Sequence, residues 1–133
     1  MQTAVSGKQV TIAGFRDLVA WQEAHKLALS IYRLTKNFPH EEIFALTSQL
    51  RRAAVSVTSN IAEGFSRPTK ADKMHFYAIA QGSLTETQSQ LEIAKDVGYV
   101  THDDFDAAEN NAIIVHKLLT GLIKSLKDGK GVK

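Results

Sequence analysis

The sequence predicts an all-α protein, an antiparallel up-and-down four-helix bundle. Apolar side chains recur at three- and four-residue spacing in four long stretches, and the period-two alternation of a β-strand is not sustained anywhere. Only two prolines occur, Pro39 and Pro68, and each lies in a polar break between two of these stretches. Because the breaks are short, we expect consecutive helices to pack antiparallel within one bundle.

The first helix is predicted over residues 17–36 and the second over residues 41–63. The core-facing stripe of the first helix is expected to comprise Leu18, Trp21, His25, Ala28, Tyr32 and Thr35. The stripe of the second is expected to comprise Ile43, Leu46, Leu50, Ala53, Val57 and Ile61. Gly64 is predicted to stop the second helix, because glycine favours the left-handed conformation that often follows a helix.

The third helix is predicted over residues 69–97 and the fourth over residues 101–127. Thr69 and Thr101 are expected to cap their N-termini, since an aspartate follows each of them three residues later. Gly98 is expected to end the third helix. The third stripe is formed by Tyr77, Ala80, Leu84, Thr87, Leu91 and Ala94. The fourth is formed by Phe105, Ala108, Ala112, Val115, Leu119, Leu122 and Leu126.

The chain of 133 residues is expected to form one domain. We predict a flexible N-terminal leader over residues 1–14, the bundle over residues 15–127 and a frayed basic tail over residues 128–133. The absence of cysteine excludes a disulfide framework, a thiolate metal site and a cysteine nucleophile, and it fits a cytoplasmic protein. No apolar run reaches the roughly 18 residues that a membrane span requires.

Catalytic and cofactor motifs are missing from the sequence. There is no Glu-x-x-His pair of the kind that di-iron bundles use, and no His-x-x-x-His pair. Glycine-rich phosphate loops and the G-x-S-x-G nucleophile elbow are absent too. His25 falls on the apolar stripe and is expected to be an interior or interfacial histidine. We therefore predict no enzymatic activity, no cofactor and no metal.

The second helix carries a polar set that calls for a separate explanation. Spacings of four, three and four place Arg52, Ser56, Ser59 and Glu63 on one face. One interpretation is a structural or interface polar network formed by Gln49, Arg52, Ser56, Ser59, Asn60 and Glu63. The other is that Arg51 and Arg52 offer bidentate donors to phosphate.

The end of the chain is rich in lysine. From Lys117 onwards there are five lysines against one acid, Asp128. One interpretation is a solvated helix end whose cations suit the helix macrodipole, and the other is contact with nucleic acid or an acidic partner. The candidate nucleic-acid-binding residues are Arg51, Arg52, Lys117, Lys124, Lys127 and Lys130.

Four segments carry a family resemblance: FRDLVAWQEAHKLA (15–28), NFPHEEIFALTSQLRRAAVSVTSNIAEGFSR (37–67), FYAIAQGSLTETQSQLEIAKDVGY (76–99) and KLLTGLIKSLK (117–127). The chain resembles small bacterial four-helix bundle proteins associated with intervening sequences in 23S ribosomal RNA genes, sometimes labelled S23-like. The resemblance implies a ring-shaped homopentamer. A related branch is similar to the accessory protein of diversity-generating retroelements, a basic pentamer that binds nucleic acid and a reverse transcriptase.

Two hypotheses for function follow from the sequence. The leading one is a non-enzymatic oligomeric scaffold that contacts RNA or DNA through basic residues gathered by the ring, because several copies of a weak patch bind more strongly than one. The alternative is a protein–protein adaptor without nucleic-acid contact. Its docking surface would be the small-residue and polar face of the second helix.

Overall fold

The computed structural model describes residues 12–129 and confirms the predicted all-α bundle. Within this range no strand occurs, and two short 3-10 turns, Phe15–Asp17 and His40–Glu42, precede the first and second helices. Most of the predicted leader and tail, namely residues 1–11 and 130–133, lies outside the described residues. The four helices are α1 (Val19–Thr35), α2 (Leu46–Ser66), α3 (Lys70–Asp96) and α4 (His102–Lys127).

The helices stand at the corners of a square. Each packs against its neighbour in the chain, and α4 closes the square against α1, so that α1 faces α3 and α2 faces α4 only across diagonals. The contact between α2 and α3 is the most extensive. Small side chains line it from both sides, including Ala53 and Ser56 on α2 and Ala80 and Ser83 on α3, and they let the two backbones approach closely.

The core follows the predicted stripes of α3 and α4. Every predicted residue on α3 is buried, and on α4 only Leu122 is half-buried rather than buried. On α2 the stripe from Leu50 to Ile61 is buried as predicted, with Ala54 added beside it. These three helices therefore bury the faces that their apolar periodicity indicates.

The predicted stripe of α1 is only partly confirmed. Leu18, Ala28 and Thr35 are buried as predicted, whereas Trp21, His25 and Tyr32 are not. The buried residues are Ala20, Ala24, Leu27, Ala28, Ile31 and Thr35. Trp21 is half-buried, Tyr32 is 42% exposed, and His25 lies exposed on the outside of the chain. The imidazole of His25 stacks on the indole of Trp21 with 4.7 Å between ring centroids. Ala20, Ala24 and Ile31 each precede one of these three aromatic residues by one position, which corresponds to a rotation of about 100° around the helix.

The boundaries of α2 also differ from the prediction. The helix begins at Leu46, so that Ile43 and Phe44 lie in the preceding turn, where Ile43 is 42% and Phe44 95% exposed. Gly64 does not stop the helix, which continues to Ser66. Arg67 then adopts an extended conformation, with φ −74° and ψ 143°, as expected for a residue before proline.

Both predicted threonine caps are confirmed. The hydroxyl of Thr69 accepts a hydrogen bond from the amide of Asp72 at 3.1 Å, and the hydroxyl of Thr101 accepts one from the amide of Asp104 at 3.1 Å. Gly98 follows α3 with a φ of 88°, a value that side chains disfavour. Among the helices that the structure describes, none is long and apolar enough to cross a membrane.

Candidate nucleic-acid interface

The two adjacent arginines of α2 lie on different faces. Arg51 points towards α1, where its Nε donates a hydrogen bond to Thr35 Oγ1 at 2.8 Å and its guanidinium lies 4.7 Å from the ring centroid of Tyr32. Arg52 is exposed and lines a shallow concavity on the α3 side together with Glu86. The two arginines therefore do not form one phosphate clamp.

A second group of cations gathers at the end of the bundle where α2 and α4 finish and α3 begins. We call this the cationic end; its residues are Arg67, Lys70, Lys73, Lys124 and Lys127. Lys124 and Lys127 line a surface concavity of about 330 Å³ together with Ile123 and Asp128. The ammonium of Lys70 lies beside Gly129, 3.8 Å from where a Cβ would stand. The antiparallel topology thus joins lysines from two helices.

Two of these cations are engaged within the bundle. Lys73 Nζ donates hydrogen bonds to the carbonyl oxygens of Gly64 and Phe65, and so satisfies free carbonyls at the end of α2. Desolvation by burial lowers the pKa of Lys73. Arg67 pairs with Glu63 at 2.7 Å and packs over Phe76.

The other three cations are exposed to solvent. No carboxylate between residues 12 and 129 lies within 4.0 Å of the ammonium groups of Lys70, Lys124 or Lys127. Lys117 is also exposed but lies ten residues before Lys127 on α4, about 15 Å further along the axis. Lys130 lies outside the described residues.

The opposite end of the bundle carries six of the 14 acidic side chains. We call it the acidic end; its residues are Glu41, Glu42, Asp96, Asp103, Asp104 and Asp106. Asp103 and Asp104 occupy the first turn of α4, where the helix macrodipole favours a negative charge. The cationic end also holds Glu63, Asp72 and Asp128, so the separation of charge along the bundle is partial. The whole chain has a net charge of +2.

The predicted polar network of α2 is only partly connected. Ser56 Oγ lies 2.8 Å from Ser83 Oγ on α3, and Asn60 Nδ2 donates to both the carbonyl oxygen and the hydroxyl of Ser56, at 2.8 and 3.0 Å. Glu63 instead pairs with Arg67. Side chains exposed on this face without a hydrogen bond to another described residue are Gln49, Arg52 and Ser59.

Gln90 belongs to the same α2–α3 face and was missed in the sequence. Its side chain is buried, its Nε2 donates to Glu86 Oε2 at 3.4 Å, and its Oε1 has no partner among the described residues. Glu86 also lines the concavity next to Arg52. Gln90 is polar and lies between the stripe positions Thr87 and Leu91, so the spacing of apolar residues could not predict its burial.

At the acidic end, Tyr99 and Glu42 form a contact that the sequence also did not reveal. Tyr99 donates its hydroxyl to Glu42 Oε2 at 2.8 Å, and this hydrogen bond raises the pKa of Tyr99. Separately, no group of three histidine or acidic side chains within residues 12–129 converges on a point where a metal ion could be held.

The square packing and the short connections define the class of the protein: a small antiparallel four-helix bundle. Residues 16–121 match the family described as 23S rRNA-intervening sequence protein, and the chain belongs to this family. A solved structure from Bacteroides thetaiotaomicron, described as a protein of unknown function from the S23 ribosomal protein family, is similar. It superposes with a TM-score of 0.74 at 27% identity and covers 80% of this chain and 99% of its own. Comparison with curated proteins gives no match.

Proposed function

We propose that this protein is a non-enzymatic helical scaffold that binds the phosphate backbone of RNA or DNA through its cationic end. The observation that supports the proposal is the separation of charge along the bundle. Lys70, Lys124 and Lys127 are exposed and form no ion pair within 4.0 Å with a described carboxylate, although Asp128 lines the same concavity. The other end carries a larger group of acids. A polyanion is attracted to the first end and repelled from the second.

The description of the family points to nucleic acid rather than another polyanion, since it refers to intervening sequences of 23S ribosomal RNA. Backbone contacts by lysine carry no sequence information. We therefore propose binding that depends strongly on salt and weakly on sequence. A plot of the logarithm of the binding constant against the logarithm of the salt concentration should have a slope of roughly −0.9 for each phosphate neutralised on duplex DNA.

Oligomerisation is the second part of the proposal. Three free lysines on one chain give weak binding, and a ring-shaped homopentamer would place five copies of the cationic end on one face. Apolar side chains on the outside of the single bundle support such contacts between subunits. Phe44 is 95% exposed, and Val19 and Val97 are each 55% exposed. A particle of five 14.6 kDa chains has a mass of about 73 kDa, which mass photometry would resolve.

The test is fluorescence anisotropy with a structured RNA hairpin and a DNA duplex over a range of salt concentrations. We expect the double variant K124E/K127E to bind at least about 10-fold more weakly and to show a shallower salt slope. The matched control is K26E/R33E, which changes the net charge by the same amount at exposed sites on α1. Absence of binding at about 50 mM salt, or an equal loss in the control, would contradict the proposal.

A second candidate function is a protein adaptor that docks through the α2–α3 face. It is favoured by the unpartnered Oε1 of Gln90 and by Arg52 and Glu86, which line one concavity without pairing with each other. A partner could satisfy these groups, because buried polar atoms in native proteins are usually hydrogen-bonded. One defined partner that co-purifies after nuclease treatment, and is lost in the R52E variant, would support this function over nucleic-acid binding.

A further inference from the structure

We infer that a cavity between the end of α1 and the start of α2 binds a small organic phosphate. The cavity has a volume of about 350 Å³, at the lower end of the range for small-molecule sites. Its lining includes the cationic side chains Lys36 and Arg51, the imidazole of His40, the hydroxyl-bearing Thr47, and the apolar Phe38 and Ile43. We call it the Arg51 cavity.

Arg51 is held in place before any ligand arrives. Its Nε donates to Thr35 Oγ1 at 2.8 Å, and the buried Thr35 hydroxyl in turn donates to the carbonyl oxygen of Ile31 at 2.7 Å. The ring of Tyr32 supports the guanidinium from one side, 4.7 Å from the centroid. The terminal amino groups of the guanidinium have no partner among the described residues. A fixed guanidinium fork with free donors matches the oxygens of phosphate.

The charge of the lining selects for anions. No aspartate or glutamate lines the Arg51 cavity, although it lies at the acidic end of the bundle. The nearby carboxylate of Glu42 is committed elsewhere: it accepts the hydroxyl of Tyr99 at 2.8 Å and the amide of Leu46 at 3.3 Å. Lys36 and His40 thus add donors to the Arg51 guanidinium with no acid among the lining residues to oppose them.

The apolar part of the lining defines the rest of the ligand. Phe38, Pro39 and Ile43 form one wall of the cavity, and Ile43 remains 42% exposed in the absence of a ligand. A phosphate ion alone would leave this wall in contact with water, whereas an apolar or aromatic group attached to the phosphate would cover it. A phosphate monoester carries nearly two negative charges at neutral pH and therefore suits the two cations Lys36 and Arg51 better than a carboxylate does.

The Arg51 cavity is separate from the proposed nucleic-acid interface. Arg51 lies 15 residues before the last residue of α2, which places it about 22 Å along the axis from the cationic end. The inference therefore does not depend on the proposed function. A ligand here would be bound independently of a polyanion at Lys124 and Lys127.

The test is a titration of the full chain with phenyl phosphate. Binding is measured by isothermal titration calorimetry and by the amide chemical shifts in nuclear magnetic resonance spectra. Phenol and benzoate serve as neutral and singly charged comparisons. We expect phenyl phosphate to bind, benzoate to bind more weakly and phenol not to bind. The shifts should concentrate between residues 35 and 51. The R51M variant should lower the affinity for phenyl phosphate by about 10-fold or more, since it removes charged hydrogen bonds.

Two further variants separate a binding role of Arg51 from a structural one. K36M/H40Q leaves the bond from Arg51 to Thr35 intact and should also weaken binding of phenyl phosphate. R52M removes the adjacent, exposed arginine and should leave binding unchanged. Equal affinity in wild type, R51M and K36M/H40Q would overturn the inference, as would shifts centred on Lys124 and Lys127. Absence of binding at about 10 mM phenyl phosphate would overturn it too, since a dissociation constant above this concentration is weaker than that of an ordinary ligand.

Discussion

Replacement of Gly64 by alanine should destabilise this bundle, although the same substitution stabilises most helices. Gly64 is buried inside α2 where it packs on α3. A Cβ at this position would lie 2.7 and 2.8 Å from Cε1 and Cδ1 of Tyr77, and 3.2 Å from Cβ of Phe76. The side chain of Tyr77 is only 1% exposed, so its ring could move away only by displacing other core atoms.

Two opposing terms set the size of the effect. Alanine improves the helix propensity of α2 by about 1 kcal/mol relative to glycine. Overpacking of a well-packed core costs about 1–3 kcal/mol. We therefore expect the free energy of unfolding to fall by roughly 1 kcal/mol in the G64A variant, which corresponds to a decrease in Tm of about 3–5 °C for a chain of this size.

Gly82 supplies a matched control. It lies in the interior of α3, it is exposed, and no heavy atom would stand within 4 Å of its new Cβ. The G82A variant should gain about 0.5–1 kcal/mol, because only the propensity term acts. One chemical change therefore has opposite signs at two helical sites.

Urea unfolding followed by far-ultraviolet circular dichroism, at equal protein concentrations, would measure both variants. A double-mutant cycle with Y77L should show that the loss from G64A largely disappears once the ring is removed. If G64A were as stable as G82A, or if the two substitutions in the cycle were additive, the close contact between Gly64 and Tyr77 would not be the cause.

Two further predictions concern Tyr77 and the serine pair. Burial raises the pKa of Tyr77 to about 12. The neutral phenol therefore stabilises the fold below pH 10, and this stabilisation is lost as the pH rises from about 10 to about 12. The urea concentration at the unfolding midpoint should fall less over this pH range in Y77F than in wild type. The S56A variant should lose about 1 kcal/mol in the same urea assay, because Ser83 and Asn60 lose a hydrogen-bond partner; wild-type stability in S56A would show that water replaces the bond.

The sequence was sufficient for the stripes of α3 and α4 but not for that of α1. On α1 two stripes with the same spacing lie one residue apart, and periodicity cannot choose between them. The predicted stripe contained Trp21, His25 and Tyr32, whereas the buried one contains Ala20 and Ala24. The buried face, which packs against both α2 and α4, combines these alanines with Leu27 and Ile31, whereas Trp21 is half-buried and Tyr32 is exposed.

Gly64 shows a second limit of local patterns. A glycine after the last apolar position of a stripe usually ends a helix, but here its lack of a side chain makes room for Tyr77, thirteen residues later in the chain. The helix ends instead before Pro68, where the chain becomes extended at Arg67. The contact between Gly64 and Tyr77 forms only when α2 and α3 pack, so the local sequence around Gly64 does not predict it.

One of the two candidate sites could be predicted from the sequence and the other could not. Lys124 and Lys127 could be identified from the sequence because they lie one turn apart near the end of a helix, and the up-and-down topology then brings Lys70 beside them. The Arg51 cavity could not be identified, since Thr35 and Arg51 belong to different helices and meet only after α1 and α2 pack. Its lining also includes the turn that was predicted as part of α2.

The unlike charges at the two ends of the bundle have a consequence for assembly. In the ring that we propose, all subunits would share one orientation, so that cationic ends would stand beside cationic ends and acidic ends beside acidic ends. Salt screens this repulsion, and ring formation should therefore strengthen with ionic strength while nucleic-acid binding weakens. A polyanion laid across neighbouring cationic ends would neutralise the repulsion between them. Binding and assembly would then be thermodynamically linked, each increasing the equilibrium constant of the other.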